Sequence, residues 1–126
     1  MSDKGRYASI RNDFEARLRF LSAEEGGRQT SFVLQGYRSD FSYEDELDAA
    51  FMIWPVFVDE HGEPLTEGTR VSTYEPVNAR MIIINDELRA TEHRKRIKEG
   101  LKFFVREGRK IVAEGVVTRI VDLFKD

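Results

Sequence analysis

The chain has 126 residues, 40% of them hydrophobic and 34% charged, with a net charge of −3; this is enough for one core, too little for two ordinary domains, and gives no overall positive field to gather nucleic acid. It contains no cysteine, which excludes disulfides and thiolate metal sites and fits a reducing, cytoplasmic setting. The apolar runs at 49–55 and 81–84 are too short to cross a bilayer and the N-terminus lacks the apolar centre of a secretory signal, so a protein free of the membrane is expected.

Charge is distributed unevenly. Residues 1–86 hold 9 basic and 16 acidic side chains, and residues 87–126 hold 11 basic and 7 acidic. A basic face is one outcome, a mixed solvated surface the other, because strands from both halves interleave in a closed sheet.

In chain order, residues 1–12 are polar and without periodicity, which reads as a loosely held arm, with one domain from 13 to 126. At 14–20 the pattern is strict: Phe14, Ala16, Leu18 and Phe20 alternate with Glu15, Arg17 and Arg19, the period-2 signature of a half-buried strand. Residues 22–30 form a polar turn around Gly26-Gly27, and a second strand follows over 31–37. The acidic stretch 39–48 supports a short strand at most. The run AAFMIWPVFV at 49–58 reads as a strand covered on both faces, with Pro55 pointing to an edge, bulge or bend. Residues 59–68 are a loop by composition; its His61 between Glu60 and Glu63 lacks the convergent ligands a metal needs.

A short strand is expected at 70–74, a turn at 75–78 and a strand at 79–85. Residues 86–99 are good helix formers with Asp86 placed to cap and Gly100 to stop, but Leu88, Ala90 and Ile97 are too sparse for an amphipathic stripe, so a short helix and a charged strand both stay open. The strand 101–106, a hairpin turn at 107–110 and a closing strand at 111–123 complete about seven strands, with Gly115 a bulge or a close-approach site. The fold class is all-β, a small antiparallel barrel or sandwich.

Two blocks are more specific. FEARLRFLSAEEGGRQTSFVLQGYR and EGLKFFVREGRKIVAEGVVTRI resemble the beginning and end of the C-terminal, third domain of translation elongation factor Tu. Phe14, Glu15, Leu21, Glu25, Gly26, Gly27, Arg28, Thr30, Phe32, Gly36, Tyr37 and Arg38 match the first block. Gly100, Leu101, Phe103, Arg106, Glu107, Gly108, Val112, Gly115, Val116 and Val117 match the second. Residues 42–99 depart from the family pattern. The resemblance implies a stand-alone antiparallel barrel of that kind with insertions in the middle.

It also implies a binding platform rather than a catalyst, because in the family GTP hydrolysis belongs to another domain and no phosphate-holding glycine loop occurs here. Neither a nucleophile nor a triad pattern accompanies His61 or His93, so no enzyme, cofactor or bound nucleotide is expected. By resemblance, candidate contacts for tRNA, other RNA or a translation-associated protein are Arg28, Gln29, Asp40, Glu107, Gly108, Arg109 and Lys110. Gln29 stands where the family usually has histidine, Asp40 where it often has glutamine, and Arg109 replaces a glycine. Arg94, Lys95 and Arg96 form a candidate basic patch. Against this, Arg28 and its glycines are equally accounted for by a turn that joins two strands, with the arginine pairing a carboxylate across the barrel end. An apolar patch around Phe51, Trp54 and Phe57 would instead mark a protein-interaction module. An enzyme on a borrowed barrel is the third reading.

Overall fold

The computed structural model describes residues 10–126, so most of the expected arm lies outside the described residues. Its end is fastened: the Arg11 guanidinium donates to Asp13 and to the Ile83 carbonyl, and the Asn12 amide N–H to Asp122.

Eight strands follow: β1 (Phe14–Phe20), β2 (Phe32–Leu34), β3 (Asp40–Tyr43), β4 (Ile53–Phe57), β5 (Arg70–Ser72), β6 (Val77–Ile83), β7 (Lys102–Glu107) and β8 (Lys110–Ile120). Six of them form an antiparallel sheet in the order β3-β7-β8-β1-β6-β4. The sheet curls until its two ends meet, where Phe41 and Phe51 exchange backbone hydrogen bonds of 2.8 and 2.9 Å. The result is the all-β antiparallel barrel that the sequence predicts, with one short helix. β2 and β5 pair as a separate two-stranded ribbon whose Val33 and Val71 join the same core.

β1 is the organising strand, hydrogen-bonded to β6 on one side and β8 on the other. Its alternation is the reason: Phe14, Ala16, Leu18 and Phe20 are buried in the core, while Arg17 and Arg19 face solvent. Each fully buried large apolar side chain contributes about 1.5–3 kcal/mol of transfer free energy. The aromatic rings of Phe14, Phe41, Phe103 and Tyr43 meet edge to face or stacked. Gly115 lies opposite Phe103 on the neighbouring strand, and a Cβ there would sit 2.3 Å from the phenyl ring. Gly115 is therefore a close-approach glycine; the two register shifts in β8 fall elsewhere, between the partners of Glu15 and Ala16 and between those of Val105 and Arg106.

The glycine turn after β1 uses its two glycines differently. Gly26 takes φ 92°, a left-handed value, and a Cβ on Gly27 would collide with the Leu21 carbonyl oxygen at 2.2 Å.

One expected turn is strand instead, and one open alternative is resolved. Val77 and Asn78 belong to β6 rather than to a turn, because they pair with Leu18 and Arg17 of β1. The segment at 86–99 is helical: an α turn Asp86–Leu88, a π segment Arg89–His93 and a second α turn Arg94–Arg96, together α1. Asn85, not Asp86, is the cap, its side chain accepting from the Leu88 amide at 2.9 Å. The apolar stripe looked too sparse because the buried face of α1 is polar, carried by Arg89 and His93.

Pro55 sits in β4, an end strand of the sheet, where its missing N–H costs no ladder bond. The rest of that edge is sealed by a side chain. Gln35, 2% exposed, donates to the Phe57 carbonyl and accepts from the Phe57 amide, both at 2.9 Å, standing in for a neighbouring strand.

Candidate binding surfaces

The two sequence blocks meet at one end of the barrel. Arg28, in the turn after β1, donates to the Glu107 carboxylate at the end of β7, and the Tyr37 hydroxyl donates to the same carboxylate oxygen. The Arg28 guanidinium also lies over the Tyr37 ring, 5.5 Å from its centroid. Desolvation, reinforced by the neighbouring Glu107 charge, pushes the Tyr37 phenol well above its ordinary range, so it remains a neutral donor. The Arg28 charge is thus largely matched within the fold.

The other candidates at this end are distributed around that joint. Gln29 is exposed, as are Gly108, Arg109 and Lys110 of the β7–β8 hairpin. Asp40 is half-buried at the start of β3, opposite Arg106. Arg106 is itself engaged, donating to the Gly108 and Leu47 carbonyls and the Ser42 hydroxyl. Gln29, Arg109 and Lys110 are therefore brought to one end with no intramolecular ion pair among the described residues, and Arg28 and Glu107 are joined to each other.

Arg94, Lys95 and Arg96 do not form a common basic patch. Arg94 turns to the carbonyls of Leu123 and Lys125. Arg96 pairs with Asp45, Glu46 and Glu92 at 2.8, 2.7 and 3.4 Å and lies 3.6 Å above the Tyr43 ring. Lys95 alone is fully exposed. The reason is local: three consecutive helical residues point about 100° apart, so they reach different neighbours.

Beneath Arg96 lies a buried polar pair that the sequence did not disclose. The His93 Nδ1 is 2.7 Å from the Tyr43 hydroxyl, and His93 is 1% exposed. Burial pushes its imidazole down to about 4, with Arg96 adding to the effect and Glu92 opposing it. A second buried cluster ties the ends of the domain together. Asp13, fully buried, accepts from Arg89 at 2.8 Å, from Arg11 at 2.6 Å and from the Ile83 amide at 2.8 Å. Arg89 continues to the carbonyls of Asp122 and Lys125. Both clusters are satisfied internally and lock α1 onto the barrel.

The loop with His61 is a turn built by Asp59, whose carboxylate accepts from the amides of His61 and Glu63. Among the described residues no three His, Asp or Glu side chains converge as a metal site, and no helix is long and apolar enough to cross a membrane.

Of the three aromatic residues expected to mark an apolar patch, Phe57 is fully buried and Phe51 packs against the core. Trp54 faces outward. Around it, on the outer wall of β4 and β6, stand Ile10, Ile82 and Ile84, and next to these Met52, whose carbonyl accepts from the Ile84 amide. Met52 is 49% exposed, and Arg38 lies over the Trp54 ring, 4.7 Å from its centroid.

The model of the family described as "Elongation factor Tu C-terminal domain" matches residues 8–121, nearly the whole chain. This chain belongs to that family, and the two sequence blocks that resemble it meet at Arg28, Tyr37 and Glu107.

Proposed function

We propose that this member of the elongation factor Tu C-terminal domain family is a non-catalytic docking module of the translation apparatus, and that its partner is a protein rather than an RNA backbone. One observation carries the reading: the arginines best placed to grip phosphates are already engaged within the fold. Arg28 is matched by Glu107, Arg96 by three carboxylates, and Arg94 and Arg106 by main-chain carbonyls. Taking such a side chain for a ligand would leave a partly buried group unpaired, at a cost of about 1–3 kcal/mol each. The net charge of −3 adds no compensating attraction.

The RNA reading keeps one specific support, the exposed Gln29, Arg109 and Lys110 at the hairpin end. Two free cations would release about two counterions, so any such binding would fall with a log–log salt slope near −2. Affinity recovery of the folded chain from cytoplasm, with and without nuclease, separates the two. A protein that co-purifies after nuclease treatment and at about 0.3 M salt, where exposed ion pairs are screened, supports the docking module. Recovery of RNA alone, lost with nuclease, would replace it with the RNA reading.

A further inference from the structure

The outer wall of β4 and β6 presents the clearest unpartnered apolar surface of the described residues. It is formed by Met52, Trp54, Ile82, Ile84 and Ile10, around a shallow cavity of about 310 Å³ beside Trp54. Ile10, Met52 and Ile84 are 39%, 49% and 38% exposed. The register explains the clustering: Trp54 pairs with Ile82, and Met52 stands beside Ile84, so four apolar side chains share one face.

What kind of partner fits follows from the edge beside the wall. A strand cannot be added to β4. Pro55 has no N–H, Phe57 is closed on both backbone groups by Gln35, with Leu65 also donating to its carbonyl, and the Ile53 amide already donates to Phe51. Recognition must therefore work through side chains, as in helix-on-groove docking. Met52, just ahead of β4, and Trp54 within it are two positions apart on this face, a separation of about 6–7 Å, close to the ~6 Å rise between residues i and i+4 of a helix. Arg38 adds the charge signal. Its guanidinium lies over Trp54 at the rim of the cavity that Glu67 also lines, and among the described residues no ion pair involves it.

We propose that the Trp54 wall is the docking site for an amphipathic helix of a partner protein, with apolar residues at i and i+4 over Met52 and Trp54 and an acidic residue reaching Arg38. This rests on the protein-docking reading above and gives that reading a site and a partner chemistry.

The test places the photo-cross-linking residue p-benzoylphenylalanine at position 52 of the full chain in cells, with position 102 on a distant wall as control. The expected result is a cross-link to a different protein. Its attachment point, located by mass spectrometry, falls in a helical segment with apolar i, i+4 spacing and an adjacent carboxylate. In the Arg38→Glu background the yield falls about tenfold, corresponding to ~1.4 kcal/mol. An independent Met52→Asp variant, shown to be folded by circular dichroism, loses the same partner in affinity recovery. Attachment to a second copy of this chain, to its own residues 1–9 or to an extended segment overturns the proposal, as does a yield at position 52 no higher than at position 102. If position 52 yields nothing while a nuclease-resistant protein is still recovered, the site is wrong and the docking reading survives. If only RNA is recovered, both fail.

Discussion

Arg28 and Glu107 are 79 residues apart in the chain and form an ion pair that joins the turn after β1 to the end of β7. The carboxylate serves Tyr37 as well, so a single acidic group holds three segments at one end of the barrel. Replacing Glu107 with alanine leaves a partly buried guanidinium and a phenol without their acceptor. The expected loss is about 2–3 kcal/mol, read as a lower urea midpoint, while Tyr37→Phe costs about 1 kcal/mol. Equal losses for the two variants would show that the carboxylate serves Tyr37 alone.

Gly115 lies directly opposite Phe103 in the sheet and leaves room for its ring. Gly115→Ala would force the Phe103 ring to move from a Cβ 2.3 Å away, and overpacking of this kind costs about 1–3 kcal/mol. Phe103→Leu in the same chain should recover part of that loss. A double-mutant cycle by thermal denaturation with no coupling between the two positions would contradict the packing described here.

The buried His93 makes stability depend on pH. Its imidazole lies near 4 in the folded chain against an ordinary 6.5, so between these values the unfolded chain binds more protons and stability rises with pH. The contribution is fully present above about pH 6.5 and lost as the pH falls through about 4, on the order of 3 kcal/mol in all. His93→Gln, which keeps a polar partner for Tyr43, should flatten the denaturation midpoint measured at pH 7, 5.5 and 4. An unchanged pH profile would place the titration elsewhere.

Asp13 holds the Arg89 guanidinium and the Arg11 guanidinium at full burial. Asp13→Ala strands the buried Arg89 cation, while the part-exposed Arg11 can turn to solvent, and should cost about 3–5 kcal/mol. Because Arg89 also fastens the C-terminal carbonyls, hydrogen exchange should speed up in α1 and the final residues before the sheet itself opens. Loss of protection uniformly across all strands would instead make Asp13 part of the global folding unit.

The sequence by itself determined the barrel. Strict alternation in β1, the paired glycines of the first turn and the REG hairpin are local signals, since a period of two and a residue without a Cβ act within a few positions. Pro55 likewise signalled an edge, a bulge or a bend, and the strand order resolves it as an edge. The same local logic could not find the buried face of α1, whose Arg89 and His93 look like surface residues until Asp13 and Tyr43 arrive from other strands. Nor could it tell which arginines are free. Arg28, Arg94 and Arg96 read as a basic surface, and only the fold supplies the Glu107, main-chain and Asp45–Glu46 partners that occupy them. Charge satisfaction depends on which distant groups come within about 4 Å, and that is set by tertiary closure. The Trp54 wall follows the same rule: the apolar run at 49–58 reads as a strand covered on both faces, but its pairing with β6 and the sealing of its edge by Gln35 leave Met52 and Trp54 facing outward, so the outer face is uncovered among the described residues.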